Sequence, residues 1–243
     1  MKAYFDKLYT GKYQEFIVKL EKSIKEEEKK FIITANPETF MMGRKHPIFD
    51  EVLKKPYITI VPDGIGIVKA ANILGMRLES RITGVEICEE LFSILNREKR
   101  SLYLFGAKKE VLETLCKVIT EKYQDIKLLG CSDGYIDDKD KVMEEAALAK
   151  PDVLLVALGI PNQEVLIDKY YDEFEKGILI GVGGSFDVLS GIKKRAPKIF
   201  IKCNLEWLYR IFKEPKRIKR FYISNVKFIK EVYALKKGKH YEN

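Results

Sequence analysis

The sequence predicts an α/β fold, a Rossmann-like parallel sheet with helices on both faces, followed by a basic helical appendage. Short apolar segments alternate with amphipathic ones through residues 1–192, which is typical of parallel strands buried on both sides. Charge divides at the end of that region: residues 193–243 carry 16 Lys and Arg against 4 Asp and Glu, a net charge of +12, whereas residues 1–192 carry −4. We therefore predict a core over 1–192 and an appendage over 193–243.

Apolar periodicity and turn residues predict the elements of the first hundred residues. Residues 14–30 place Ile17, Leu20 and Ile24 opposite a Lys/Glu face, the pattern of an amphipathic helix. Two strand–turn–helix units follow, and then a further helix. The strands end at Thr34 and span 57–61, the helices start at Pro37 and after Gly64, and the further helix spans 85–97.

The middle of the chain shows the clearest alternation. Strands are predicted at 101–106, 126–130, 152–159 and 178–184, with helices at 108–123, 140–149 and 162–174, and the tail has helical candidates at 203–214 and 216–235. Three strands end in glycine before a helix, at Gly106, Gly159 and Gly183. In such sheets ligands lie outside the carboxyl ends of the strands, where helix amino ends supply N–H donors. We expect the functional site at that edge.

Composition excludes several classes of protein. The cysteines and histidines show no CxxC or HxxxH spacing, so a structural zinc site is not predicted. They stand far apart, at Cys88, Cys116, Cys131, Cys203, His46 and His240. Scattered cysteines fit a reducing compartment, and the sequence has neither a signal-peptide core nor a bilayer-spanning apolar stretch. Any membrane contact is therefore expected to be peripheral.

Two strand-end motifs have a functional and a structural interpretation each. The glycine-rich loop Gly181–Gly191 has Phe186 where a dinucleotide fingerprint needs its third glycine, and no Walker lysine follows any glycine loop. An NAD or ATP site is thus less favoured, and turns that bind nothing are equally compatible. Asp63 follows a strand and is placed to act as a general base, or it caps the next helix, which the pattern alone favours.

Charged clusters offer further candidates. Asp138 and Asp140 form a DxD pair that could hold a divalent metal, but an exposed helix cap is the preferred interpretation. Arg210, Arg217 and Arg220 would lie near one face if the tail helices run in line. They would then converge on a diphosphate, or they form a solvated basic face. Nucleic acid would also attract this tail, although the body has no recognisable nucleic-acid module.

Nine motifs, taken in order, carry a resemblance to a known family. They are TANPE (34–38), PDGIGIV (62–68), RITGVE (81–86), LFG (104–106), GY (134–135), ALGIPNQE (157–164), GVGGSFDVLSG (181–191), KRAP (194–197) and LEWLYRIFKEPKRIKR (205–220). Together they resemble the WecG/TagA/CpsF family of bacterial glycosyltransferases over roughly residues 30–222.

The resemblance implies a reaction. The chain is most similar to members that move N-acetylmannosamine from UDP-N-acetylmannosamine to undecaprenyl-diphosphate-linked N-acetylglucosamine, in the synthesis of the wall teichoic acid linkage unit. Other members transfer another sugar, such as N-acetylmannosaminuronate, to a lipid-linked acceptor. The family works without a DxD metal, and no cofactor is implied. A nicotinamide-dependent enzyme and a non-catalytic nucleic-acid or membrane-binding module remain as more distant alternatives.

The resemblance also assigns residues. Asp63 matches the proposed catalytic base. Thr34 is grouped with it as catalytic. Thr34 and Asn36 match a loop that shapes the acceptor and sugar pocket. Arg81 and Thr83 match a segment near the site. The residues that match the nucleotide-sugar side are Tyr135, Gln163, Val182, Gly183, Gly184 and Asp187.

The tail completes the predicted assignments. By resemblance, Arg210, Arg217 and Arg220 close over the diphosphate, and little carries over to residues 222–243. The expected partners are a UDP-sugar donor and a polyprenyl-diphosphate-linked acceptor, with no nucleic acid. We expect a cytoplasmic homo-oligomer that contacts the inner face of the cell membrane peripherally through its basic tail.

Overall fold

Six parallel strands form one sheet in the order β2-β1-β6-β5-β3-β4. The computed structural model describes residues 1–79, 81–215 and 217–238. The strands are β1 (Lys29–Ala35), β2 (Ile58–Pro62), β3 (Ser101–Gly106), β4 (Lys127–Ser132), β5 (Val153–Ala157) and β6 (Gly177–Gly181). Every strand pair is parallel, which confirms the predicted α/β class.

Thirteen α-helices accompany the strands within the described ranges. They are α1 (Lys2–Phe5), α2 (Tyr13–Lys25), α3 (Pro37–Gly43), α4 (Pro47–Lys54), α5 (Ile65–Ile73), α6 (Gly84–Arg97), α7 (Lys109–Lys122), α8 (Lys139–Ala149), α9 (Asn162–Tyr170), α10 (Ser185–Leu189), α11 (Lys198–Lys202), α12 (Glu206–Lys213) and α13 (Arg217–Lys236). A 3₁₀ turn, Tyr171–Glu173, follows α9.

Helices cover both faces of the sheet, as the alternation predicts. On the first face, α1, α3, α4, α5, α8, α9 and α13 pack around one apolar cluster. On the second face, α2, α6, α7 and α10 pack around another. Strand β1 serves both clusters, since Phe31 and Ile33 point to the first face and Ile32 to the second. The two layers of helix bury the sheet that carries the site.

Several predicted boundaries are wrong, and the largest error is at the end of α2. Helix α2 ends at Lys25, whereas the pattern predicted a helix through residue 30. Glu27 takes a left-handed φ of 55°, and Lys29 begins β1 opposite Gly177. Pairing within the sheet therefore overrides the helical pattern of the last residues.

The carboxyl half of α13 packs against the first face. Phe228 and Val232 are each 1% exposed, and the Phe228 ring lies 6.4 Å from that of Phe5 and 6.0 Å from that of Phe40. Part of the predicted appendage thus contributes to the core, and its division from the body at residue 193 stays a prediction. Among the helices described, none is both long and apolar enough to cross a membrane.

The topology places a crevice where neighbouring strands send their helices to opposite faces. Strand β1 leads into α3 on the first face, and its neighbour β6 leads into α10 on the second. The register pairs Ile33 with Gly181 and Ala35 with Pro62, so the carboxyl ends of β1, β2 and β6 lie side by side. Such switch points are the usual ligand sites of open α/β sheets.

Candidate active site

Thr34 and Asp63 lie together at this crevice. Thr34 is 8% exposed, and its hydroxyl donates a 3.1 Å hydrogen bond to the Gly181 carbonyl at the end of β6. The backbone N–H of Asp63, just beyond β2, donates to the Ala35 carbonyl over 2.9 Å. Two residues predicted to be catalytic therefore share one edge with the glycine-rich loop.

Asn36 shapes the loop between β1 and α3. It is the N-cap of α3, and its Oδ1 accepts hydrogen bonds from the N–H groups of Glu38 (2.8 Å) and Thr39 (3.2 Å). The Thr39 hydroxyl accepts in return from the Asn36 N–H over 3.1 Å. The side-chain carbonyl of Asn36 thus fixes the loop, while contact of Asn36 with an acceptor sugar stays a prediction.

The segment with Asp63 is pressed against that loop. A Cβ on Gly64 would lie 3.0 Å from the Cβ of Asn36, and one on Gly66 would lie 2.6 Å from Cγ of Pro37. Glycine at both positions lets the two loops touch. The N-cap of α5 is Gly64, so Asp63 is not the cap residue that the pattern alone favoured. Asp63 is half-buried at the rim of the crevice.

The amino end of α6 borders the crevice on the second face of the sheet. Thr83 caps this helix: its hydroxyl accepts from the Glu86 N–H over 3.3 Å, and the Glu86 carboxylate accepts from the Thr83 N–H. A Cβ on Gly84 would lie 3.8 Å from the Thr34 hydroxyl oxygen. The partial positive charge of the helix's amino end therefore lies beside Thr34.

Arg81 connects the crevice to the tail. Its Nη2 lies 3.1 Å from Oε2 of Glu206 in α12, and both side chains are largely buried. The chain next to Arg81 is held by the Ile82 N–H, which donates to the Pro62 carbonyl over 2.8 Å. Glu206 was not predicted as a site residue, because in the sequence it resembles any charged residue at the start of a helix.

Gln163 joins the two loops that follow β5 and β6. It is 2% exposed, and its Oε1 accepts from the N–H groups of Gly159 (3.1 Å) and Gly183 (3.0 Å). A Cβ on Gly181 would come within 2.6 Å of its Nε2, so only glycine fits there. Gln163 therefore supports the glycine loop from behind, and its contact with a nucleotide stays a prediction.

Glu164 is a second residue of this edge that was not predicted from the sequence. Its Oε1 accepts a 2.7 Å hydrogen bond from Nε2 of Gln163, while its Oε2 is buried with no hydrogen-bond partner among the described residues. Complete burial raises the pKa of this carboxyl to about 7. The available signal was its place in the first turn of a helix directly after a strand-end glycine.

The glycine loop supplies the remaining predicted residues of the β6 edge. Val182 is buried in the second-face cluster, Gly183 takes a left-handed φ of 50°, and Gly184 precedes α10 as its N-cap. Asp187 lies in α10 with Oδ1 3.5 Å from Nζ of Lys193. Their predicted role at the nucleotide stays a prediction.

Tyr135 lies farther along the same edge. It is 72% exposed in the loop between β4 and α8, beside a cavity of about 750 Å³. The N–H of the preceding Gly134 donates to the Ala107 carbonyl, next to the end of β3. Because β3 is three strands from β1, this loop lies roughly 14 Å along the edge from Thr34. A ligand that touches both would have to extend across β6 and β5.

The DxD pair has structural partners. Asp138 caps α8 by accepting from the Lys141 N–H over 2.9 Å, and Asp140 lies 2.8 Å from Nζ of Lys169. The preferred prediction of a helix cap is confirmed for Asp138. Within the described ranges, no group of three His, Cys, Asp or Glu side chains is placed to hold a metal ion.

The start of the tail contacts the second-face side of the crevice, whereas α13 packs on the first face. Arg195 reaches Glu86 of α6 over 2.7 Å, and the Trp207 and Phe221 rings of α12 and α13 stack with centroids 4.6 Å apart. The three arginines predicted to close over the diphosphate have side chains outside the described part of the structure, and their convergence stays a prediction. They are Arg210, in α12, and Arg217 and Arg220, in α13.

Comparison with known proteins gives a consistent result. Residues 5–241 match the Glycosyl transferase WecG/TagA/CpsF family. An N-acetylglucosaminyldiphosphoundecaprenol N-acetyl-beta-D-mannosaminyltransferase of Bacillus subtilis (strain 168) is 43% identical over 78% of this chain and 73% of its own length. Proteins of the same name from Bacillus spizizenii and Staphylococcus aureus (strain MW2) are 40% and 39% identical over 78% of this chain and 74% of their own lengths.

Proposed function

The chain belongs to the WecG/TagA/CpsF family of glycosyl transferases, and we propose that it transfers N-acetylmannosamine from UDP-N-acetylmannosamine to diphosphoundecaprenol-linked N-acetylglucosamine. The names of relatives at 39–43% identity support this sugar and this acceptor. The observation that carries the proposal is the meeting of Thr34, Asp63 and the Gly181–Gly184 loop at the switch point of the sheet. The product would enter the wall teichoic acid linkage unit.

The proposed reaction is a single displacement with inversion. Asp63 accepts the proton of the acceptor's 4-hydroxyl, and that oxygen attacks the anomeric carbon of the donor. The bond from that carbon to the β-phosphate oxygen breaks, and UDP leaves with the electron pair. The amino end of α6 beside Thr34 favours negative charge in the crevice, and the tail arginines are assigned to the β-phosphate. No step requires a metal ion.

Turnover with defined substrates tests the proposal directly. The full chain is mixed with UDP-N-acetylmannosamine and a soluble analogue of the diphospholipid acceptor, and UDP release is followed. We expect release that depends on both substrates, and faster release than with UDP-N-acetylmannosaminuronate. A preference for the uronate donor would reassign the sugar within the family. Thermal shifts with NAD or short DNA but none with UDP would favour the other two classes of function.

UDP is expected to bind without magnesium. The structural partners of Asp138 and Asp140, a helix cap and Lys169, account for the DxD pair. Calorimetric titration of UDP in EDTA and then in magnesium should give affinities that agree within about twofold. Asp140→Asn is the matched variant, and it should bind UDP as the parent does. Binding that appears only with magnesium and is lost in Asp140→Asn would contradict the metal-free site.

The tail arginines are expected to matter more for turnover than for UDP affinity. Each of Arg210→Ala, Arg217→Ala and Arg220→Ala should lower kcat by roughly ten- to a hundredfold, because a guanidinium–oxyanion contact contributes about 1.5–3 kcal/mol. Lysine should restore activity only in part, since it lacks the planar fork. Lys230→Ala, on an exposed position of α13, is the control. Wild-type turnover in all three arginine variants would exclude the closing role.

We propose that the tail also brings the enzyme to the inner face of the cell membrane. Several apolar side chains of α11–α13 are 49–69% exposed among basic residues, namely Ile199, Phe212, Ile218, Tyr222, Ile229 and Tyr233. Anionic vesicles should bind the chain, and raised salt should release it.

Self-association in solution should cover the same surface, so sedimentation should show oligomers that vesicles dissociate. A protein that is monomeric and does not bind vesicles would contradict both the membrane contact and the self-association.

A further inference from the structure

Two cysteines meet at the outer edge of the sheet, far from the crevice in the strand order. Cys116 lies in α7 and is half-buried, and Cys131 lies in the edge strand β4 and is exposed. Their Sγ atoms are 2.7 Å apart. A disulfide bond measures about 2.05 Å, so the sulfurs are within about 0.7 Å of bonding distance. Cys88 is buried in the second-face cluster, and Cys203 lies at the end of α11.

The two thiols differ in acidity. Either thiol can donate to the sulfur of the other, and this contact lowers the pKa of Cys131 and raises that of Cys116. Partial burial raises the pKa of Cys116 further. Because the thiolate is the nucleophile in thiol–disulfide exchange and Cys131 is the more exposed of the two thiols, we assign Cys131 as the attacking group and Cys116 as the resolving one. Its exposure at the edge strand makes Cys131 accessible to a small oxidant.

We propose that Cys116 and Cys131 form a reversible disulfide, with a low-molecular-weight disulfide as the oxidant. The Cys131 thiolate attacks one sulfur of that disulfide and displaces one small thiolate. Cys116 then loses its proton and attacks Sγ of Cys131, which displaces the second small thiolate. The protein loses two protons and two electrons, and the small disulfide is reduced to two thiols. Paired cysteines in reducing compartments act in this transient, sensing manner.

The bridge would hold the edge strand to its covering helix. Among the described strands, β4 pairs only with β3, and that ladder is interrupted by a register shift between Leu102 and Tyr103. After Cys131 the strand runs into the loop that carries Tyr135. Oxidation is therefore expected to restrain this loop. Formation of the bond does not depend on the proposed sugar transfer, so either proposal can fail without the other.

Glutathione redox buffers test the bond in the full chain. Reduced protein is equilibrated at a series of ratios of reduced to oxidised glutathione, quenched with acid, alkylated and mapped by mass spectrometry. We expect a single Cys116–Cys131 bridge, seen as the loss of two hydrogen masses and reversed by dithiothreitol. Closing this short loop should raise the Tm by about 5–10 °C. Both cysteines alkylated at the most oxidising ratio would overturn the proposal.

Variants separate the two thiols. Cys116→Ser should retain a stable glutathione adduct on Cys131, because the resolving thiol is gone. Cys203→Ser is the matched control and should still form the bridge. A persistent adduct on Cys131 of the unsubstituted chain, or a bridge that includes Cys203, would also overturn the proposal. The map of the unsubstituted chain decides the question if Cys116→Ser does not fold.

Discussion

Replacing Asp63 with asparagine is expected to lower sugar transfer by about 10²–10⁴-fold. The amide has nearly the shape of the carboxylate, but it cannot accept the proton of the acceptor hydroxyl. The backbone bond from Asp63 to Ala35 does not involve the side chain, so the loop should keep its position. Steady-state kcat, circular dichroism and UDP calorimetry should show a slow enzyme with normal folding and nucleotide affinity.

A second loop aspartate provides the control for this substitution. Asp137 is exposed on the same edge of the sheet, in the loop after β4, and Asp137→Asn should leave kcat within about twofold of the parent. Near-normal turnover of Asp63→Asn would remove Asp63 from the mechanism. Equal losses in both variants would point to a general effect of charge at this edge.

The stability of the chain is expected to fall as pH rises from about 4.5 to about 8, because of Glu164. Its carboxyl has a pKa of about 7 in the folded state against a reference of 4.5, so the folded state binds more protons than the unfolded state in this range. The contribution of Glu164 to the free energy of unfolding is fully present below pH 4.5 and is lost as pH rises through 7. Its size is on the order of 3 kcal/mol for a shift of this extent.

Glu164→Gln should flatten this dependence. The amide is neutral at every pH, and its oxygen can still accept from Gln163, so Tm near pH 8 should rise towards its value near pH 5. Glu144→Gln, on the exposed side of α8, should keep the parent's dependence. Asp152, whose pKa is lowered by hydrogen bonds from Ser101, acts in the opposite direction and only below pH 4. An unchanged pH profile in Glu164→Gln would show that this carboxyl does not titrate there.

Local pattern predicts the elements well where a strand is buried on both faces. The segment at 101–106 is the strand β3 residue for residue, because a short, wholly buried strand has little but apolar side chains. The strand order was not predictable, since it depends on pairing between distant segments. The end of α2 was missed for the same reason: Gly177, distant in sequence, decides where β1 begins.

In the candidate site, too, local pattern predicts some residues and contacts between distant segments decide the others. Thr34, Asp63 and the glycine loop were expected at one edge because parallel strands bring their carboxyl ends together. Glu164 and Glu206 were not, because a carboxylate in the first turn of a helix is usually exposed. Tertiary packing buries both, and a place in the first turn of a helix does not by itself distinguish a buried carboxylate from an exposed one.

The contacts of Arg195 and Phe228 make the segment between them a strap fixed at both ends. Arg195 is bound to Glu86, and Phe228 is seated on Phe5 and Phe40. A chain held at two points has a high effective concentration over the surface that it spans, so each docking of the strap loses little entropy. One protease cut within the strap should leave both fragments attached but lower turnover, because each cut end is then held at a single point. Deleting the chain from residue 193 onward would instead remove Phe228 and expose Phe5 and Phe40 to solvent. The truncated protein would then aggregate through this apolar surface, for reasons unrelated to catalysis.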